Sequence, residues 1–218
     1  MLKKFFRSPF MILFLFCAIA GIWPLFAVAR GDVILWLNAV HEPGADFFFK
    51  YWTYLGDGVT LGVLLVFFLF YRYYHALITV VSIIVQSIVI SLFKRWIFEG
   101  LERPIAFFEG RVDLNLVEGV QLHHFSTFPS GHTTTAFSVF ALLALAFALR
   151  RPWLSIVFFI MAALVGVSRI YLAQHFFVDV YAGAWLGVLS VLAGIAVVQS
   201  WWIRNTPENY NKSLLRKP

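Results

Sequence analysis

WLSIVFFIMAALVGVSRIY (Trp153–Tyr171) and VDVYAGAWLGVLSVLAGIAVVQSWWI (Val178–Ile203) stand almost back to back near the end of the chain. Each is close to the ~20 apolar residues that a helix needs to cross a bilayer. Only LAQHFF (172–177) separates them, so the pair reads as two antiparallel membrane spans joined by a tight connection. Polar residues gather at that join: Ser168 and Arg169 before it, His175 within it, Asp179 after it. Ionisable residues at span ends are costly unless paired or functional, so the join is the first candidate site.

Working outward, further apolar blocks give four more spans, over residues 9–29, 59–71, 76–93 and 131–149; the quoted pair is then 153–171 and 178–203. The block at 59–71 is short for a span. Hydrophobic residues make up 61% of the chain and charged residues 13%, about half the charged share of a soluble domain, which excludes that class. The expected fold is all-α: a polytopic bundle of six transmembrane helices with an interfacial helix, forming a single membrane-embedded domain over 1–218. Lys3, Lys4 and Arg7 before the first block, with Ala27-Val28-Ala29 at its end, resemble a secretion signal, but the apolar stretch is long for one. An uncleaved span is the preferred reading. Cys17, the single cysteine, lies inside this block and is expected to be a buried structural thiol.

Placing the N-terminus in the cytoplasm and alternating six spans puts Lys3, Lys4, Arg7, Arg72, Arg150, Arg151, Arg204, Lys212, Arg216 and Lys217 on the inner side. That is ten of the seventeen basic residues, joined there by Glu208 alone of the eleven acidic ones. The net charge of +6 is therefore a topology signal, not a nucleic-acid footprint. Residues 30–58, with aromatic residues clustered from Phe47 to Tyr54, read as an interfacial helix at headgroup level. Residues 99–128 are the longest polar stretch, where the alternation Val112–Leu116 and the turn Glu118-Gly119 suggest a short hairpin.

Under this topology Lys94, Arg95, Arg103, His132, Arg169, His175 and Asp179 all face the outer surface. Pro129-Ser130-Gly131-His132 stands where a loop becomes a helix. Ser is a favoured N-cap, and the unpaired N–H groups of a helix start suit a phosphate. His175 and Asp179 are four apart and share a face if on one helix. A carboxylate can then fix the imidazole tautomer and leave the other nitrogen free to attack. Arg169 suits a bidentate grip on phosphate oxygens. Adjacent His123 and His124 favour a loop role over a metal site, since neighbours do not face each other on a helix. Gly183 and Gly187, four apart in the sixth span, fit either close packing inside the bundle or a dimer face.

Together these pieces resemble the type 2 phosphatidic acid phosphatase (PAP2) superfamily. Its pattern is a Lys, six residues and Arg-Pro; then Pro-Ser-Gly-His; then Ser-Arg, five residues, His, three residues and Asp. The second part is present as Pro129–His132 and the third in full from Ser168 to Asp179. The first part departs: Arg103-Pro104 is present, but eight residues rather than six separate Lys94 from Arg103, and Trp96 holds the family position. Lys94 is preferred for the lysine role, with Arg95 the alternative, and Gly100 lets the backbone absorb the two extra residues.

The resemblance implies an integral membrane phosphatase for a lipid phosphate, such as phosphatidic acid, phosphatidylglycerol phosphate, an isoprenyl diphosphate or a lipid A phosphate. It implies His175 as nucleophile, Asp179 as its orienting partner and His132 as general acid and base. Lys94, Arg103, Ser130, Gly131 and Arg169 would bind the phosphate. No metal and no cofactor are expected. In a bacterial inner membrane the site would face the periplasm, and neither oligomeric state nor lipid identity follows. A lipid phosphotransferase using the same phosphohistidine is the alternative. A transporter fits less well, because it calls for charges near the bilayer midplane. A haloperoxidase shares the family site but is expected on a soluble scaffold.

Overall fold

The computed structural model describes residues 2–149, 151–203, 205 and 211–215. The helices are α1 (Leu2–Phe6), α2 (Pro9–Ala20), α3 (Ile22–Ala27), α4 (Asp32–Asn38), α5 (Pro43–Trp52), α6 (Gly58–Tyr71), α7 (Tyr73–Leu92), α8 (Pro104–Phe108), α9 (Gly131–Leu143), α10 (Pro152–Tyr171) and α11 (Phe177–Val197). Their starts follow local chemistry. Ser8 caps α2 ahead of Pro9, Asp57 accepts the Val59 N–H at 2.9 Å to open α6, and Ser130 caps α9. A π-helical turn, Phe93–Ile97, extends α7, and others extend α9 and α11.

Five helical segments are long and apolar enough to cross a membrane: Pro9–Ala27, Tyr73–Ile97, Gly131–Ala148, Pro152–Tyr171 and Phe177–Trp202. The sixth crossing differs from its expected form. Helix α6 alone is about 21 Å long at 1.5 Å per residue, short of a ~30 Å hydrocarbon core. It qualifies only with Pro43–Gly56, to which it is joined across a 52° bend. Residues 43–56 are thus the aromatic arm of a bent pair with α6, a broken span or a re-entrant loop.

At the centre stands α9, where every residue from Thr133 to Leu142 is buried. It packs against α10 and α11, and α7 packs along α11. A Cβ at Gly183 would come within 2.7 Å of the Ser130 carbonyl oxygen, and one at Gly187 would meet the Thr134 carbonyl. The two glycines therefore serve α9–α11 packing within the bundle. Large apolar residues such as Ile12, Phe16, Val63, Val66 and Ile88 remain exposed, as a lipid-facing surface requires.

Three expectations change. Cys17 is exposed rather than buried, because the packed face of α2 carries Phe10, Met11, Phe14 and Ala18. No strand forms among the described residues. The turn at Glu118-Gly119 exists, but its flanks are held by side chains elsewhere: Asn38 Oδ1 accepts the Asn115 N–H at 2.9 Å, and Lys50 donates to the Glu118 carbonyl at 2.6 Å. His175 lies before α11 rather than on it. Of the inner-side charges, Arg150, Arg204, Glu208, Arg216 and Lys217 lie outside the described residues.

Candidate active site

The C-terminal ends of α7 and α10, the N-terminal end of α9, the aromatic arm at residues 43–56 and the loops at 99–128 and 172–176 enclose one cleft of about 560 Å³. Lys94, Arg103, Gly131, His132, Arg169 and His175 all line it. Asp179 and Ser130 sit behind this lining, at 1% and 0% exposure. Arg95 and Trp96 are exposed outside it. The two extra residues between Lys94 and Arg103 are taken up locally. Phe98 N–H reaches back to Phe93 O at 2.8 Å, closing the π turn, and Gly100 then adopts φ +77°.

The third motif is wound tightly. The Gln174 and His175 N–H groups both bond the Arg169 carbonyl, at 3.0 and 3.1 Å, with Ala173 at φ +51° between them. This wrap turns Arg169 and His175 toward the same space. Helix α11 starts after Phe176 because the Asp179 carboxylate accepts the Phe176 N–H at 2.9 Å. His175 Nδ1 still lies 3.4 Å from Asp179 Oδ2, across the loop–helix boundary. The Ser130 N–H donates to the Asp179 carbonyl at 3.0 Å, so the starts of α9 and α11 are tied by backbone.

Sequence reasoning missed four supporting residues. Thr127 donates a short hydrogen bond to Asp179 Oδ2 and lies 3.3 Å from His175 Nδ1, so it bridges imidazole and carboxylate. Gln174 Oε1 accepts from Arg103 Nη1 at 3.4 Å and Arg169 Nη2 at 3.3 Å, holding the two guanidiniums together. Thr53 Oγ1 accepts from Arg169 Nη1 at 2.9 Å. Lys50 joins the lining. For Thr127 a signal existed, as a hydroxyl near Pro129-Ser130, and for Gln174 its place inside the third motif, five residues from Arg169; for Thr53 and Lys50, contact partners far away in sequence gave none.

Ser130 Oγ accepts from Thr133 Oγ1 at 2.9 Å and from the Thr133 N–H at 3.4 Å, so it works as a helix cap. Of the histidine pair, His123 turns into the cleft. Burial pushes its pKa down, and Arg103, Arg169 and Lys94 push the same way. His175 is held well below the ordinary imidazole range, first by burial and then by Arg169, Arg103 and Lys94. Its Nδ1 faces Thr127 and Asp179. Burial also lowers the Arg103 pKa, which Asp179 partly offsets. Among the described residues no group of three or more His, Cys, Asp and Glu side chains forms a metal-ligand set. No carboxylate among the described residues is part of the cleft lining, so its chemistry is that of an anion site.

The PAP2 superfamily model matches residues 75–203. The chain belongs to the PAP2 superfamily. Among its PAP2 relatives, the lipid A 1-phosphatase of Porphyromonas gingivalis is 35% identical over 96 residues, 42% of this chain and 20% of that protein. Phosphatidylglycerophosphatase B of Bacillus subtilis is 40% identical over 70 residues, 29% of this chain and 34% of that one. The chain thus spans a fifth to a third of these relatives' lengths. Aquifex aeolicus LpxE superposes with a TM-score of 0.67 at 26% identity, covering 78% of this chain and 97% of that one. A Bacillus subtilis PAP2-type phosphatidylglycerolphosphate phosphatase shares the fold, with a TM-score of 0.64 at 24% identity over 88% of this chain and 95% of that one. The chain is an all-helical, multi-pass membrane protein of the PAP2 phosphatase family.

Proposed function

We propose that this protein hydrolyses a lipid phosphate at the outer headgroup plane through a phosphohistidine on His175. One observation carries the reading: Lys94, Arg103, Arg169, His132 and His175 line a single carboxylate-free cleft. The Thr127–Asp179 pair behind His175 supports its role, because it occupies Nδ1 and leaves Nε2 for attack. In the first step Nε2 bonds to phosphorus while the ester bond breaks, and His132 delivers a proton to the departing alkoxide. Lys94, Arg103, Arg169 and the Gly131 N–H stabilise the charge on the phosphoryl oxygens, with Ser130 capping the helix that presents Gly131. In the second step His132 takes a proton from water, which attacks phosphorus and frees His175. No metal is required by this scheme.

The aromatic arm belongs to the same functional unit in this reading, which rests on the Arg169–Thr53 hydrogen bond, and the whole of 1–218 acts as one membrane-embedded domain. The site would open to the periplasm of a bacterial inner membrane.

The test is labelling of the purified protein in detergent with a lipid phosphate carrying ³²P. An acid-labile, base-stable label on His175, phosphate release, and indifference to chelator are expected. Label elsewhere, or its persistence in His175→Ala, overturns the mechanism. Label passed to a second lipid instead of water makes the protein a phosphotransferase.

A further inference from the structure

The cleft holds one cation more than a single phosphoryl group employs. Arg103 and Arg169 are 8% and 6% exposed and gripped by Gln174, while Lys50 is half-buried and joins the same lining from the arm at residues 43–56. Lys50, Thr53 and Tyr54 follow helical spacing at the end of the aromatic arm, so that arm turns one face to the cleft. Thr53 reaches the inner cations, bonding Arg169 at 2.9 Å. Lys50 is fixed separately: its ammonium donates to the Glu118 carbonyl at 2.6 Å, which leaves two of its three N–H donors. Beside it the wall is Gly119 to Gln121, and His123.

A phosphate monoester carries at most two negative charges, against which Lys94, Arg103 and Arg169 already stand. A fourth cation held by backbone, with no carboxylate in the lining and no ion-pair partner among the described residues, stands without a counter-charge there. The cleft's volume also falls in the range of whole small-molecule sites and well exceeds a phosphoryl group.

We infer that Lys50 forms an outer anion subsite that binds a second phosphate on the same lipid headgroup, so that the preferred substrate class carries two phosphates. This rests on the lipid phosphatase reading and sharpens its substrate class. The second phosphate either adjoins the first, as in a diphosphate, or sits elsewhere on the headgroup.

Calorimetric binding to the full chain in detergent tests it with orthophosphate, pyrophosphate and propane-1,3-diyl bisphosphate. Wild type should bind at least one two-phosphate probe about tenfold more tightly than orthophosphate, the scale of one charge-assisted hydrogen bond. The tighter probe reports the arrangement of the two phosphates. Lys50→Gln, which can keep the bond to Glu118 without the charge, should collapse that ratio, and Lys50→Arg should retain it. An undiminished ratio in Lys50→Gln, or no preference in wild type, overturns the proposal. Failure of the phosphatase reading would look different: no phosphate release from any lipid while the binding preference persists.

Discussion

His175 and His75 are buried to the same degree, each 2% exposed, yet they occupy opposite situations. His175 Nδ1 lies within 3.4 Å of both Thr127 and Asp179, and the ring lines a cleft with three cations close enough to depress its pKa. His75 sits in the first turn of α7, its ring 5.2 Å from Phe68, 5.7 Å from Tyr71 and 5.2 Å from Tyr74, and neither nitrogen has a hydrogen-bond partner among the described residues. Burial is common to both, so burial does not make a site. What separates them is a carboxylate that fixes one ring nitrogen and an opening that exposes the other.

The comparison can be broken most directly by exchange of the two rings for inert ones. His175→Ala should lower the rate of phosphate release by on the order of 10⁴-fold or more, as loss of a nucleophile does elsewhere. His75→Phe should leave that rate within about twofold, since nothing ties His75 to the cleft. A large loss in the second variant would erase the distinction. Next in size is the carboxylate. Asp179→Asn should cost about 10²- to 10⁴-fold in kcat by letting Nδ1 lose its preferred tautomer. Thr127→Val should cost about tenfold, because it removes the bridging hydroxyl and leaves the carboxylate. Steady-state kinetics on one lipid phosphate orders all four.

A titration sharpens the contrast further. Arg103 lowers the His175 pKa, so Arg103→Gln should let it rise toward the ordinary imidazole value. His175 should then gain its proton at higher pH than in wild type, as followed by histidine-ring NMR. A shift to lower pH would contradict the cited direction. The smallest effect concerns stability. His75 buries an N–H with no acceptor among the described residues, which costs about 1–3 kcal/mol, so His75→Phe should raise the unfolding temperature in detergent by a few degrees.

Much of the architecture was legible because bilayer crossing imposes length and apolarity on contiguous residues. The spans around α9, α10 and α11 follow directly from such blocks. The bent pair of Pro43–Gly56 with α6 did not, because Pro43–Gly56 carries Asp46 and Lys50 among its aromatic residues and reads as interfacial when taken alone. The candidate site was legible where its residues keep fixed spacing, as from Ser168 to Asp179. It was opaque where contact depends on tertiary folding. Thr53 meets Arg169 across 116 positions, and Thr127 meets Asp179 across 52. Lys94 could be preferred to Arg95 only for its residue type, since spacing alone puts Arg95 nearer the family position and the π turn that places Lys94 in the cleft leaves no clear mark in composition.

The near-contact of Gly183 with the Ser130 carbonyl reaches beyond packing. Helix α9 presents Gly131 and His132, and α11 carries Asp179, so the stance of the proposed acid, the proposed anion donor and the carboxylate is set by how deeply one helix nests in the other. A single methyl at Gly183 would act as a shim. It would leave every reacting group chemically intact while tilting the two halves of the machinery apart, and the damage would surface in turnover before it surfaced in unfolding.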